Sequence, residues 1–196
     1  MTALTSLFEP GGLLYSPIPL PYRIIDCITA LALCCAGVCG LLAYRKSRGS
    51  ADARYWLLAG AGMLYLAIDE LQSLHERAGK WLWHHGWQAP APFSHNDDAL
   101  LFMIALCGVG VTAVYLRALL THQRASRLLL AGMLATGLVI VLDALAVAIV
   151  IEEAAELGGA SLLAAAFATR LHLAARMEVE VEPSPALAPV EASSPS

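Results

Sequence analysis

From Leu128 to Leu173 the chain runs 46 residues without a proline, with charge only at Asp143, Glu152, Glu153, Glu156 and Arg170. As one helix at about 1.5 Å per residue it would be roughly 70 Å long, more than twice the ~30 Å hydrocarbon core of a bilayer. It therefore has to fold back on itself. A turn near 148–151 gives two full-length helices, 128–148 and 152–173. A turn at Gly158-Gly159 is the alternative and leaves a short last helix. The first is preferred, although no Pro or Gly marks it.

The same patterning recurs upstream. Apolar runs cover 24–44, 55–74 and 98–119, each close to the length that spans a bilayer. The chain is 58% hydrophobic and 14% charged, with mean hydropathy +0.64. A soluble domain of this size is nearer half apolar and a quarter charged. The sequence thus predicts an all-α, polytopic transmembrane bundle of five spans within 22–176. A proline- and glycine-rich extracytoplasmic leader, 1–21, precedes it, and a Glu/Pro/Ala/Ser-rich disordered tail, 177–196, follows. Met1 to Leu20 has neither a basic start nor a compact apolar core, so no cleavable signal is expected and the first span is retained.

Basic residues set the expected orientation. With five spans, Arg45, Lys46, Arg48, Arg54, Arg117, Arg124, Arg127, Arg170 and Arg176 share one side, against Arg23, Lys80 and Arg77 on the other, out of 12 in total. Basic loops stay cytoplasmic, so the N-terminus is expected outside and the C-terminus inside a plasma membrane. These loops are short and lack interleaved aromatics, so they read as topology signals rather than a nucleic-acid surface. On the first span, Asp26, Ala30, Leu33, Gly37 and Gly40 share a mostly small face, expected to pack inward. Cys27, Cys34, Cys35, Cys39 and Cys107 fall in apolar runs with no paired spacing and read as buried small hydrophobes.

Against this apolar background one stretch is out of place: Ile68-Asp69-Glu70-Leu71-Gln72-Ser73-Leu74-His75-Glu76-Arg77. It puts three carboxylates and a histidine where the second span should be leaving the bilayer, and charge at that depth needs a partner, water or a function. The other spans bring acids to the same side: Asp26, then Asp97 and Asp98 after His95, then Asp143, then Glu152, Glu153 and Glu156. The helix macrodipole accounts for acids in a first turn, such as Asp97 and Asp98, the latter pair behind Asn96 as the expected N-cap. It opposes Asp69, Glu70, Glu76 and Asp143, which are expected at helix C-termini. On a continuous helix His75 points about 120° away from Asp69, so the two serve one site only if the helix unwinds there.

Hard or borderline divalent cations gather carboxylate and imidazole in helical bundles. The expectation is a metal site at the outer face, with Zn, Fe or Mn held by Glu70, His75, Glu153 and Glu156. Asp69, Glu76 and Asp143 would serve as bases or supporting groups, and the chemistry would be hydrolysis or oxidation of a lipid or periplasmic substrate. The Glu-x-x-His spacing of helical-bundle di-metal proteins is not matched. The alternatives are protonated carboxylate pairs in a proton- or cation-coupled transporter, or a non-catalytic partner subunit. The apolar inner halves of the spans argue against a through-path. No G-x-S-x-G, glycine-rich phosphate loop or H-E-x-x-H occurs. His84 and His85 adjoin Trp81, Trp83 and Trp87 in a segment suited to the membrane–water boundary, and His122 and His172 read as ordinary interfacial residues.

Overall fold

A computed structural model describes residues 20–91, 93, 95–144 and 149–181. All its regular structure is helical: α1 (Leu20–Lys46), α2 (Ala53–Gln72), α3 (Leu74–His84), α4 (Asn96–Leu119), α5 (Gln123–Ala144) and α6 (Ile149–Val181). Four of these are long and apolar enough to cross a membrane, over Arg23–Lys46, Asn96–Leu119, Gln123–Leu142 and Glu153–Met177. The long apolar stretch is divided where α5 ends at Ala144 and α6 begins at Ile149. Gly158-Gly159 lies inside α6, and Gly159 is there for packing: a Cβ added to it would sit 2.9 Å from the Thr136 hydroxyl of α5. The leader up to residue 19 and the tail from 182 lie outside the described residues, and α6 continues to Val181, past the expected end of its span.

α1 is sandwiched between α2 and α6, and α6 packs in turn on α5. The small face of α1 makes this possible. Ala30, Leu33 and Ala36 are buried. A Cβ on Gly37 would lie 2.6 Å from Leu64 Cγ and 2.9 Å from the Gly60 carbonyl oxygen. A Cβ on Gly40 would meet the Phe167 ring at 2.8 Å and Gly60 Cα at 2.9 Å. In lipid, where apolar burial drives little association, such close backbone contact supplies the packing energy. Towards the basic end the core is aromatic: Trp56 meets Phe167 edge-on with centroids 5.1 Å apart, and Tyr55 packs on Trp56 at 5.0 Å.

Among the described residues no Cα of α2 comes within 8 Å of one in α6. Long side chains alone join these two helices, reaching past α1. α4 is the most open helix. It is tied to α3 at one end and to α2 and α5 at the other, while 106–110 is exposed on every side. The cysteines depart from expectation. Cys27, Cys34, Cys35 and Cys107 are exposed, Cys39 is half-buried, and all five are free. Cys39 packs against the edge of the core, and the other four lie on the outer surface of the bundle.

Candidate functional site

The second apolar run does not continue as one helix through the charged stretch. It breaks at Ser73, whose φ of 47° and ψ of 50° place a non-glycine residue in the left-handed region. The break changes the geometry on which the sequence reading rested. His75 no longer points away from Asp69 but swings back to it, with Nδ1 2.7 Å from Asp69 Oδ2. The His75 backbone N–H donates to Asp69 Oδ1 at 2.8 Å, and the Ser73 N–H donates to the Asp69 carbonyl at 2.6 Å. Asp69, only 3% exposed, therefore caps the start of α3 and fixes the imidazole at once. Burial pushes the His75 imidazole down, but the hydrogen bond and charge of Asp69, helped by Glu76 and Asp97, outweigh it and raise it above its ordinary value.

One residue on from Asp69, Glu70 leaves α2 on a different face. Its carboxyl group and that of Glu156 on α6 meet within hydrogen-bonding distance. Asp26 of α1 lies within electrostatic reach of both, Asp69 acts on Glu70, and His75 acts on Glu156. A carboxylate carries only acceptors, so two carboxyl groups can hydrogen-bond only if they share a proton.

The remaining predicted site residues are distributed differently. The helix break places Glu76 in the first turn of α3, where the macrodipole favours it, and not at a helix C-terminus as expected. It pairs with Lys80 on the surface at 3.2 Å. Glu153 stands half-buried one turn before Glu156 on α6. The side chains of Asp143 and Glu152 lie outside the described residues. Among the described residues no group of three or more His, Cys, Asp and Glu is arranged to hold a metal ion. Of the expected ligands, Glu70 and Glu156 meet each other, and His75 pairs with Asp69, which was expected as a base or supporting group.

α3 and α4 close this end. Asn96 does not cap α4 as expected; that position falls to His95, whose N–H donates to Asp98 Oδ2 at 3.0 Å. Asn96 is buried and acts as a clasp. Its Nδ2 donates to the carbonyls of Trp87 at 3.0 Å and Gly79 at 3.3 Å, and its Oδ1 accepts from Ala89 N–H at 2.7 Å. Gly79 permits the approach, since a Cβ there would lie 2.8 Å from the Asp97 backbone nitrogen. Trp81 and Trp83 of α3 are left exposed.

A second polar centre, which the sequence reading missed, occupies the basic end. Arg170 of α6 is fully buried and grips Asp52, just before α2, through Nε at 2.9 Å and Nη2 at 3.2 Å. Trp56 Nε1 and Ser50 Oγ donate to the same carboxylate at 2.8 and 2.6 Å, and His122 Nε2 lies 3.6 Å away. Burial pushes the Asp52 carboxyl up, but hydrogen bonds from Arg170, Ser50 and Trp56 and the guanidinium charge hold it at about 2. Burial, then the charge of Arg170, push His122 below its ordinary value against the opposing pull of Asp52. A signal was present: Arg170 is a lone cation in an apolar run, and Asp52 is the one acid in the basic-end loops 45–54 and 117–127.

Residues 14–171 match the model of a family described as a domain of unknown function (DUF8692). The chain belongs to this family. No curated protein and no solved structure matches it.

Proposed function

We propose that this is a proton-coupled membrane protein whose working centre is the Glu70–Glu156 carboxyl pair. The observation that carries the reading is that α2 and α6 each present a carboxyl group to the other, so that the contact between them exists only while a proton is held. The dyad of Asp69 and His75 stands beside the pair, and a histidine oriented by a carboxylate is suited to accept and release protons near neutral pH. In this reading His75 takes the proton from the aqueous face and the carboxyl pair stores it. A small cation in place of the proton is the same chemistry. The metal-dependent hydrolase or oxidase expected from the residue types needs a third ligand, which the described residues do not bring to either pair.

We also read α2 as a fifth span. Its 20 residues are about 30 Å long, and the polar groups that lower its hydropathy, Arg54 and Asp69 to Gln72, stand at its two ends. With the basic end cytoplasmic, the carboxyl centre faces outward. Reporter fusions after Arg48, Gln88, Gln123 and Arg176 should report inside, outside, inside and inside; an outside signal at Arg176 overturns this topology.

The proton reading is tested by infrared difference spectroscopy on the protein in lipid nanodiscs. At neutral pH a protonated-carboxyl band should be present and should be lost in Glu156→Gln and in Glu70→Gln. Metal analysis of the same preparation, purified without chelator, separates the alternatives. Near-stoichiometric Zn, Fe or Mn, with no protonated-carboxyl band, would overturn the proposal in favour of a metal centre.

A further inference from the structure

At the basic end a groove of about 410 Å³ runs between α1 and α6. Its walls are Cys39 and Leu42 of α1 and Ala168, Leu171 and Ala175 of α6. Lys46, the last residue of α1, and His172 complete it, and these two alone among its lining residues carry ionisable nitrogen. We infer that this groove binds an anionic phospholipid of the adjacent leaflet, with an acyl chain laid between the helices and the phosphate held at Lys46 and His172.

Three observations support that occupant. The volume lies within the ~300–1,000 Å³ range of ligand pockets. From Cys39 to Lys46 the wall extends about 10 Å along α1 and is apolar until its final turn. On α1 the cation therefore stands at the end of the wall, as an amphiphile with a negative head requires, and on α6 His172 follows the apolar Ala168 and Leu171 with Ala175 one turn beyond it. The alanines of α6 leave the room that the chain would fill. Arg176, one residue past Ala175, adds positive charge at the same end of α6, where basic residues attract anionic lipid.

The test is native mass spectrometry of the detergent-purified full chain, offered phosphatidylglycerol and phosphatidylcholine of matched acyl chains in equal amounts. Phosphatidylglycerol should be retained in preference. Lys46→Gln combined with His172→Gln should reduce its retention about fivefold or more without altering phosphatidylcholine. Arg45→Gln removes the same kind of charge one residue away, outside the groove, and should leave retention unchanged. Ala168→Phe should fill the wall and lower both lipids at unchanged helical circular dichroism. The inference is overturned if the parent retains both lipids equally. It is also overturned if Arg45→Gln matches the double variant, which would mean a diffuse charge effect. Displacement of the lipid by glycerol phosphate at comparable concentration would overturn it as well, marking a soluble-anion site.

Discussion

The two ends of the α2–α6 pair solve one problem in opposite ways. The helices stay apart in the middle, with α1 between them, and polar side chains join them at both ends. The joints are about 27 Å apart along α2, from Asp52 to Glu70, and about 21 Å apart along α6, from Arg170 to Glu156. At the basic end the partners carry opposite charges, the contact is bidentate, and Trp56 and Ser50 complete the shell of Asp52. Nothing has to bind for that joint to close. At the acidic end the partners are alike, and in the proposed reading the joint closes around a proton or a small cation in its place. A joint of the first kind holds the bundle together, whereas a joint of the second kind responds to its surroundings.

The largest expected effect comes from breaking the basic joint. Arg170→Met leaves Asp52 buried without its counter-charge and should cost about 3–5 kcal/mol in unfolding experiments in detergent. Asp52→Asn added to Arg170→Met removes the orphan charge and should restore most of the loss. If Arg170→Met alone melts like the parent, the joint is not structural and the contrast between the ends falls.

Next in size is the spacer between the joints. Gly37→Leu or Gly40→Leu pushes α1 against Gly60 of α2, and Gly40→Leu also against Phe167 of α6; each should cost roughly 1–3 kcal/mol. Unchanged melting would place that face of α1 against lipid.

Dependence on pH should separate the ends. Asp52 is held at about 2, below its unfolded value, so its contribution is present above the ordinary carboxylate range and is lost as pH falls towards 2. His75 is raised, so its contribution is full below its unfolded value, ~6.5, and is lost as pH climbs through the higher folded one. The α3 amides should therefore lose hydrogen-exchange protection on the alkaline side, after correction for intrinsic exchange. The basic end should loosen on the acid side, slightly as pH falls below ~6.5, because His122 is held unprotonated, and fully only in strong acid as Asp52 is protonated. Asp69→Asn should remove the alkaline dependence. A parent whose α3 protection ignores pH across that range would contradict the dyad.

The smallest effect should come from Glu156→Gln. The amide can donate to Glu70 in place of the shared proton, so the expected change is under about 1 kcal/mol, against about 1–3 kcal/mol for Glu156→Ala, which leaves Glu70 without its partner. Equal losses for the two variants would show that the Glu70–Glu156 contact does not depend on a donor.

Much of this molecule can be read directly from the chain. Runs of apolar residues near bilayer length force helices, because a backbone in lipid satisfies its own polar groups only within a helix or a closed barrel. The small face of α1 is legible for the same reason: every third or fourth residue shares a side, so Ala30, Leu33, Gly37 and Gly40 announce a close contact before its partner is known. The crowding of acids at one end is legible too, since the spans alternate direction.

Tertiary structure alone decided which acid meets which group. Periodicity assumes an unbroken helix, and one left-handed residue, Ser73, rotated His75 onto Asp69 and moved Glu76 from a helix end to a helix start. The cost of a single φ is local and small, and the hydrogen bonds of Asp69 offset it. The Asp52–Arg170 and Glu70–Glu156 contacts likewise span separations of 118 and 86 residues. Which residues come together across such distances depends on the order in which helices pack around α1. Hydropathy marks four of the helices as long and apolar enough to cross a membrane, but not which neighbour each chooses, because to an apolar stripe lipid and another helix are nearly equivalent surroundings.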